Sequence, residues 1–312
     1  PLLLGRFAAE PNKDAGRAAN ADSANEGKSM TGTLRISALA GTGAEVSGVD
    51  VRRLDQQQFD DIRQAFADYG LLFFRDQQLT ETEHLALAER FGQVNVNRFF
   101  AAHAQYPQIA LVGKEPDQVN NIGGGWHTDH SYDQAPALGS ILVARQLPRS
   151  GGDTWFTSMY KAYEGLSAGL QQTLRGLRAV HSARHVFGSQ GGYQQIEDAT
   201  SRIKNPAAAD GLVDPIHPVV ITHPLSGKRA LYVNPAFTLH FEGWTADESK
   251  PLLDYLYAAA SQEAYITRFS WQPGAIAFWD NRATWHFAQN DYQGQARMMH
   301  RVTIEGCELA AG

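Results

Sequence analysis

The chain has 312 residues, 43% of them hydrophobic and 19% charged, with a formal net charge of -6. That is an ordinary globular composition, enough for one large domain or two small ones, and its mild acidity argues against nucleic acid as the main partner. The lone cysteine, Cys307, excludes an intrachain disulfide and suits a reducing cytoplasm, and no run of about 18 apolar residues is present to span a membrane.

From Ala8 to Gly32 the only large apolar side chain is Met30. Such a stretch cannot bury enough surface to offset the entropy of ordering it. Residues 1–33 are therefore expected to form a disordered N-terminal extension: either a native tail or an extra stretch ahead of a domain that starts at Met30. Pro1-Leu2-Leu3-Leu4 is too short and uncharged for a signal peptide. Deleting Pro1 to Ser29 is expected to leave the melting temperature and turnover nearly unchanged, which a thermal melt and a rate assay would check. Residues 34–312 are expected to form a single domain.

Leu34, Ile36 and Leu39 predict a strand, and Val46 to Asp50 a second short piece. Asp55 caps a helix with Phe59, Ile62 and Phe66 on one stripe and Gly70 at its end. Leu71-Leu-Phe-Phe74 has the pattern of a buried strand. Thr80-Glu-Thr-Glu83 is a capping box that opens a helix stopped by Gly92. Gln108 to Val112 predicts a strand, and the turn-rich Asn120 to Gly125 leads into Trp126. Leu138 to Arg145 predicts a strand, and Ser158 to Leu177 two short helices. Arg178 to Asp214 is polar and poorly periodic, the pattern of a mobile loop or lid with one helix at most. Strands follow at Pro218–Thr222, Ala230–Val233, Tyr265–Trp271, Ala275–Trp279 and Ala296–Ile304, with a capped helix from Thr245 to about Ser261. Many late strands without a βαβ rhythm predict a mostly β fold with flanking helices.

The chemistry starts at Trp126-His127-Thr128-Asp129. On an extended strand His127 and Asp129 would share a face, with Thr128 turned away. That supplies two ligands of a two-histidine, one-carboxylate facial triad. A His-x-Asp arises by chance on the order of once in such a chain, so its meaning rests on what lies downstream. His286, in Trp279-Asp280-Asn281-Arg282-Ala283-Thr284-Trp285-His286, is the candidate third ligand. Arg297 and Arg301 share a strand face. Two buried arginines are costly unless each meets an anion, and the planar guanidinium suits a carboxylate. Arg301 could instead pair with a core carboxylate such as Asp280. His130 would point opposite His127 on a strand and is read as structural, and His217 and His223 have no metal-ligand spacing.

Together with Gly151-Gly152-Asp153-Thr154, these motifs resemble the Fe(II)/2-oxoglutarate-dependent taurine dioxygenase (TauD/TfdA) family, in matching order across roughly Leu34 to Gly306. The resemblance implies a double-stranded β-helix, or jelly-roll, core. It implies Fe(II) held by His127, Asp129 and His286, with 2-oxoglutarate and O2 as cosubstrates. It puts Thr154 and Arg297 on the distal carboxylate of 2-oxoglutarate, and Arg301 on the acidic group of a small anionic substrate. Histidine and tyrosine contacts of the taurine enzyme fall on Asn97 and Phe100, and an asparagine falls on Gly123. These three departures favour a longer or aromatic sulfonate, a sulfate ester or an aryloxyalkanoate over taurine. Phe100 and Phe237 are candidate pocket walls, with Asn97 as a substrate neighbour. His181 to Gly188 also resembles the aryloxyalkanoate-cleaving members. The alternatives are taurine dioxygenase proper, a zinc hydrolase using the same triad, and a non-catalytic jelly-roll binding protein. Neither a nucleic-acid nor a membrane partner is expected, the location implied is cytoplasmic, and assembly into a homo-oligomer stays open.

Overall fold

The computed structural model describes residues 33–196 and 202–312. Met30 and all but the last residue of the expected N-terminal extension lie outside the described residues. The described chain is mostly β with helices around it. Eight strands form one sheet, in the order Arg35–Ala38, Ala44–Ser47, Leu71–Phe74, Ile276–Asp280, Gly139–Gln146, Arg297–Ile304 and Val94–Asn95, with Ile109–Lys114 also paired to Arg297–Ile304. Their pairings are antiparallel except that of Ala44–Ser47 with Leu71–Phe74. Three smaller sheets of three strands each accompany it. One of them joins Thr267–Phe269, Thr154–Ser158 and Thr284–Ala288.

The Leu71–Phe74 strand shows why its sequence is continuously apolar. All four residues are buried. Leu72 and Phe74 pack with Ile62 and Phe66 of the Gln56–Tyr69 helix. Leu71 and Phe73 point the other way, into a cluster with Phe156 and Phe269 of the small sheet. Side chains that alternate in direction must all be apolar when both faces are covered. Phe73 stacks on Phe269 with ring centroids 4.0 Å apart and meets Phe156 edge-on at 5.5 Å. The two sheets thus share the layer of core on which the candidate ligands rest.

The predicted helix starts hold. Asp55, Thr80 and Thr245 each cap a helix with a reciprocal capping box, and Gly70 closes the first helix at φ 68°. The second helix stops at Glu89, before the expected Gly92. Arg178 to Asp214 is not a bare loop. It contains the strand Arg178–His181, the short helices Arg184–Phe187 and Pro206–Asp210, and a 3-10 turn at Gly192–Gln195. The strand is held by pairing with Thr238–Phe241 and Ile216–Pro218, a non-local cause that leaves no periodicity in the segment. Thr154–Ser158 and Thr284–Ala288 are also strands that the apolar pattern did not reveal. Among the described residues, no helix is long and apolar enough to cross a membrane.

Candidate active site

His127 and His286 are direct cross-strand partners. The His127 N–H donates to the His286 carbonyl at 3.1 Å, and the His286 N–H to the His127 carbonyl at 2.8 Å. Paired residues project on the same side, so the two rings come to 4.0 Å between centroids. Asp129 does not arrive by strand alternation, as expected from the sequence. Only His127 is strand-like; a turn follows at once and carries Asp129 back. The Thr128 hydroxyl pins that turn by donating to the Asn281 carbonyl at 2.5 Å. The outcome is a triangle: His127 Nε2 lies 3.9 Å from Asp129 Oδ1, and His286 Nε2 lies 3.8 Å from Asp129 Oδ2.

The donor chemistry of this triangle fits a divalent cation. His127 donates through Nδ1 to the Gly125 carbonyl at 2.8 Å, which leaves the Nε2 lone pair facing the centre. Burial lowers the His127 pKa and takes that of His286, beside His127, well below the ordinary value. Both rings are therefore neutral near pH 7. Burial alone would raise the Asp129 pKa, but Arg301, His286 and His127 outweigh it and hold the carboxyl below its usual range. Two neutral imidazoles and one carboxylate with no hydrogen bond among them suit a first-row metal.

A second group, Glu81, His103 and His300, is as close together but is chemically different. Arg145 Nε donates to His300 Nδ1 at 3.1 Å, and Arg145 Nη2 lies 3.5 Å from Glu81. The arginine is already the cation there and occupies a lone pair that a metal would need.

The Arg297–Ile304 strand directs both arginines to one cavity of about 700 Å³, which also takes in His127, Asp129, His286 and Thr154. Thr154 Oγ1 accepts from Trp271 Nε1 at 3.0 Å and from Arg297 Nη2 at 3.4 Å. With both lone pairs engaged, the Thr154 proton is left to donate outward. Arg297 Nε is buried without a partner. Gly151 and Gly152 both take positive φ, 77° and 74°, and a Cβ at Gly152 would stand 3.3 Å from Arg297 Cδ. Glycine is thus required both by the backbone and by the arginine's approach.

Arg301 departs in part from expectation. Its Nη1 donates to Asp129 Oδ2 at 2.9 Å, while Nε and Nη2 are buried without partners. Asp280, the other carboxylate expected within its reach, is taken by Arg282 and His223. Phe100 lines the cavity with its ring 4.4 Å from the Arg301 guanidinium, and Phe237 is a buried wall. Asn97 is not on the wall. Its Oδ1 accepts the Phe99 and Phe100 N–H groups at 2.9 and 3.0 Å, so it shapes the turn that presents Phe100 rather than facing a substrate. His130 is structural, with Nδ1 2.8 Å from Asp133 Oδ2.

Residues 35–303 match the family described as Taurine catabolism dioxygenase TauD, TfdA family. The chain belongs to the TauD/TfdA family. It is 32% identical over 288 residues to an alkylsulfatase of Acinetobacter baylyi, covering 90% of this chain and 88% of that one. It is 32% identical over 281 residues to the (S)-phenoxypropionate/alpha-ketoglutarate-dioxygenase of Sphingobium herbicidovorans, covering 89% and 96%. Its fold is similar to the crystal structure of a taurine dioxygenase from Burkholderia xenovorans, with a TM-score of 0.72, 33% identity and coverage of 88% and 91%.

Four residues of this TauD/TfdA site escaped the sequence reading: Thr128, Asn281, Trp271 and Tyr193. Thr128 lies between His127 and Asp129 and Asn281 in the run that ends at His286, so proximity to a ligand was the available signal. Trp271 and Tyr193 reach the site from sequence-distant segments and carry no local signal.

Proposed function

We propose that this protein is an Fe(II)- and 2-oxoglutarate-dependent dioxygenase that hydroxylates a small organic anion beside its heteroatom. The hydroxylated product then falls apart to an aldehyde or ketone with sulfite, sulfate or a phenol, while 2-oxoglutarate becomes succinate and CO2. The observation that carries the reading is that His127, Asp129 and His286 each offer a ligand atom within 4.8 Å of the others, on the wall of the cavity that also receives Arg297 and Thr154. We read the paired sheets as a double-stranded β-helix core within one domain beginning near residue 34.

Fe(II) with 2-oxoglutarate and O2 supplies the oxidising chemistry, and the protein binds, orients and excludes water. His127, Asp129 and His286 would hold the metal. Arg297 and the Thr154 hydroxyl would hold the distal carboxylate of 2-oxoglutarate through charge-assisted hydrogen bonds. The unpartnered Nε and Nη2 of Arg301 would take the substrate's acidic group, with Asp129 fixing the guanidinium and Phe100 backing its face. Phe187, Phe237, Ile122 and Val186 give the rest of the wall an apolar character suited to an alkyl or aryl tail. Among the described residues lining the cavity, Asp129 is the one carboxylate, and it is already paired with Arg301. Taurine's ammonium would therefore find no anionic partner. The test is succinate formation with Fe(II) and 2-oxoglutarate across hexyl sulfate, hexanesulfonate, 2-phenoxypropionate and taurine. A highest kcat/KM for taurine would reject the specificity, and no substrate-stimulated succinate from any of them would reject the substrate class.

Arg297→Ala is expected to raise the KM for 2-oxoglutarate far more than that for the prime substrate. A lost charge-assisted hydrogen bond costs about 1.5–3 kcal/mol, or roughly one to two decades in affinity. Steady-state kinetics with each substrate varied in turn checks this. An unchanged 2-oxoglutarate KM would move the carboxylate socket elsewhere, with Arg301 the next candidate.

A further inference from the structure

The 3-10 turn at Gly192–Gln195 sets Tyr193 on the cavity wall. Its ring stacks on Phe187 at 5.6 Å and 12°. Its hydroxyl oxygen accepts the Gly123 N–H at 3.1 Å. Gly123 belongs to the loop behind the first histidine: its carbonyl accepts the Ala288 N–H at 2.9 Å, and a Cβ built on it would stand 3.1 Å from His127 Cε1. The phenol oxygen is therefore moored beside the triangle of candidate ligands by a segment distant in sequence.

A phenol has one proton and can also accept hydrogen bonds. Gly123 uses an acceptor site, and no described residue accepts the proton. Burial pushes the Tyr193 pKa up, so the proton is present at neutral pH. Other polar groups of the wall are committed elsewhere. The Asn121 amide donates to the Ala288 carbonyl at 2.8 Å, and His185 Nε2 donates to the Ala236 carbonyl at 2.6 Å. Besides the Arg297 and Thr154 donors read above as the 2-oxoglutarate socket, the wall presents the unpartnered Arg301 Nε and Nη2 and the Tyr193 O–H. An oxygen-rich anion suits both.

We propose that Tyr193 is a substrate-binding residue that donates its hydroxyl proton to an oxygen of the organic anion while its own oxygen stays on the Gly123 N–H. This rests on the reading of the cavity as the site of a small anionic substrate. It adds a second specificity group beside Arg301, and it ties recognition to the ordering of the loop that carries His127.

The test is Tyr193→Phe, which keeps the ring stack and removes the oxygen. Anaerobic holoenzyme with Fe(II) and 2-oxoglutarate is titrated with hexyl sulfate and with 2-phenoxypropionate. Fe(II) and 2-oxoglutarate are titrated separately on the same variant. The expected result is binding of the probes weakened by about tenfold to a hundredfold, the loss for one hydrogen bond to a charged acceptor. Fe(II) and 2-oxoglutarate dissociation constants should stay near wild type, and KM should move more than kcat. If all the constants weaken together, Tyr193 only braces the loop and the proposal falls. If the probes bind the variant as tightly as wild type, water satisfies the proton and the proposal falls alone. If wild type binds neither probe while Fe(II) and 2-oxoglutarate bind normally, the anionic-substrate reading fails first and takes this proposal with it.

Discussion

Asp129→Ala is expected to abolish substrate-dependent succinate formation and to weaken Fe(II) binding by more than about a hundredfold, beyond the 10- to 100-fold typical of losing an outer-shell partner. Two losses combine. The carboxylate is the one anionic member of the His127, Asp129, His286 group, and without it two neutral imidazoles must hold a dication alone. Arg301, 5% exposed, also loses its carboxylate partner. Breaking a buried ion pair by removing one partner costs about 3–5 kcal/mol. Asp129→Asn separates the effects, because it keeps an acceptor for Arg301 and removes the charge. It should melt between Asp129→Ala and wild type, since Arg301 keeps an acceptor but loses its counter-charge, yet bind Fe(II) as poorly as Asp129→Ala. His127→Ala and His286→Ala should share the loss of turnover without exposing Arg301 to an unpaired state. Metal titration and thermal melts on the four variants check this, and full Fe(II)-dependent activity in any one would remove that residue from the ligand set.

Asp280→Ala is expected to be the most destabilising of the single substitutions considered, although Asp280 does not line the cavity. Its Oδ1 accepts Arg282 Nε at 2.9 Å and the Arg282 backbone N–H at 2.8 Å, and its Oδ2 accepts Arg282 Nη2 at 2.7 Å and His223 Nε2 at 2.9 Å. Asp280 is 0% exposed, His223 1% and Arg282 2%. Removing the carboxylate strands a buried guanidinium, at a cost of about 3–5 kcal/mol, which lowers the melting temperature by roughly 5–15 °C in a protein of this size. Burial works to raise the Asp280 pKa, but Arg282 and His223 overcome it and the folded carboxyl titrates below its ordinary value. A depressed carboxyl stabilises the fold above its unfolded pKa. The contribution is therefore complete above about pH 5 and is lost as pH falls below roughly 4. Melts of Asp280→Ala and wild type at about pH 7 and about pH 2.5 check both claims: the gap should narrow at the lower pH, between the unfolded and the depressed folded pKa. An equal melting temperature at pH 7 would mean that Arg282 finds another partner.

The Asp280 network also bears on the site. Thr284 Oγ1 donates to the Asp280 carbonyl at 2.8 Å and Trp279 Nε1 to Asn281 Oδ1 at 2.8 Å, so the turn between the Ile276–Asp280 and Thr284–Ala288 strands is tied by its own side chains. That turn offers the Asn281 carbonyl to Thr128 and sends His286 to His127. Loss of Asp280 should accordingly reduce Fe(II) affinity as well as stability.

Features that depend on a residue's near neighbours in the chain were legible without the fold. Capping boxes at Thr80 and Thr245 and the cap at Asp55 mark helix starts because the bonds run to backbone three residues on. The two-faced burial of Leu71 to Phe74 follows from period-two alternation. So does the common face of Arg297 and Arg301, since both depend only on strand geometry. The motif residues His127, Asp129, Thr154, His286, Arg297 and Arg301 were legible as types in an order, and the tertiary structure brings all six to one cavity. Which atom meets which was not legible. Strand register pairs His127 with His286, and a turn held by Thr128 returns Asp129 to them. Arg301 spends one N–H on Asp129, and Asn97 turns inward to its own backbone. Trp271 reaches Thr154, and Tyr193 reaches Gly123, from segments with no pattern of their own. Local patterns record how a side chain projects from its own element; contacts between elements are set by register and packing, to which many distant residues contribute at once.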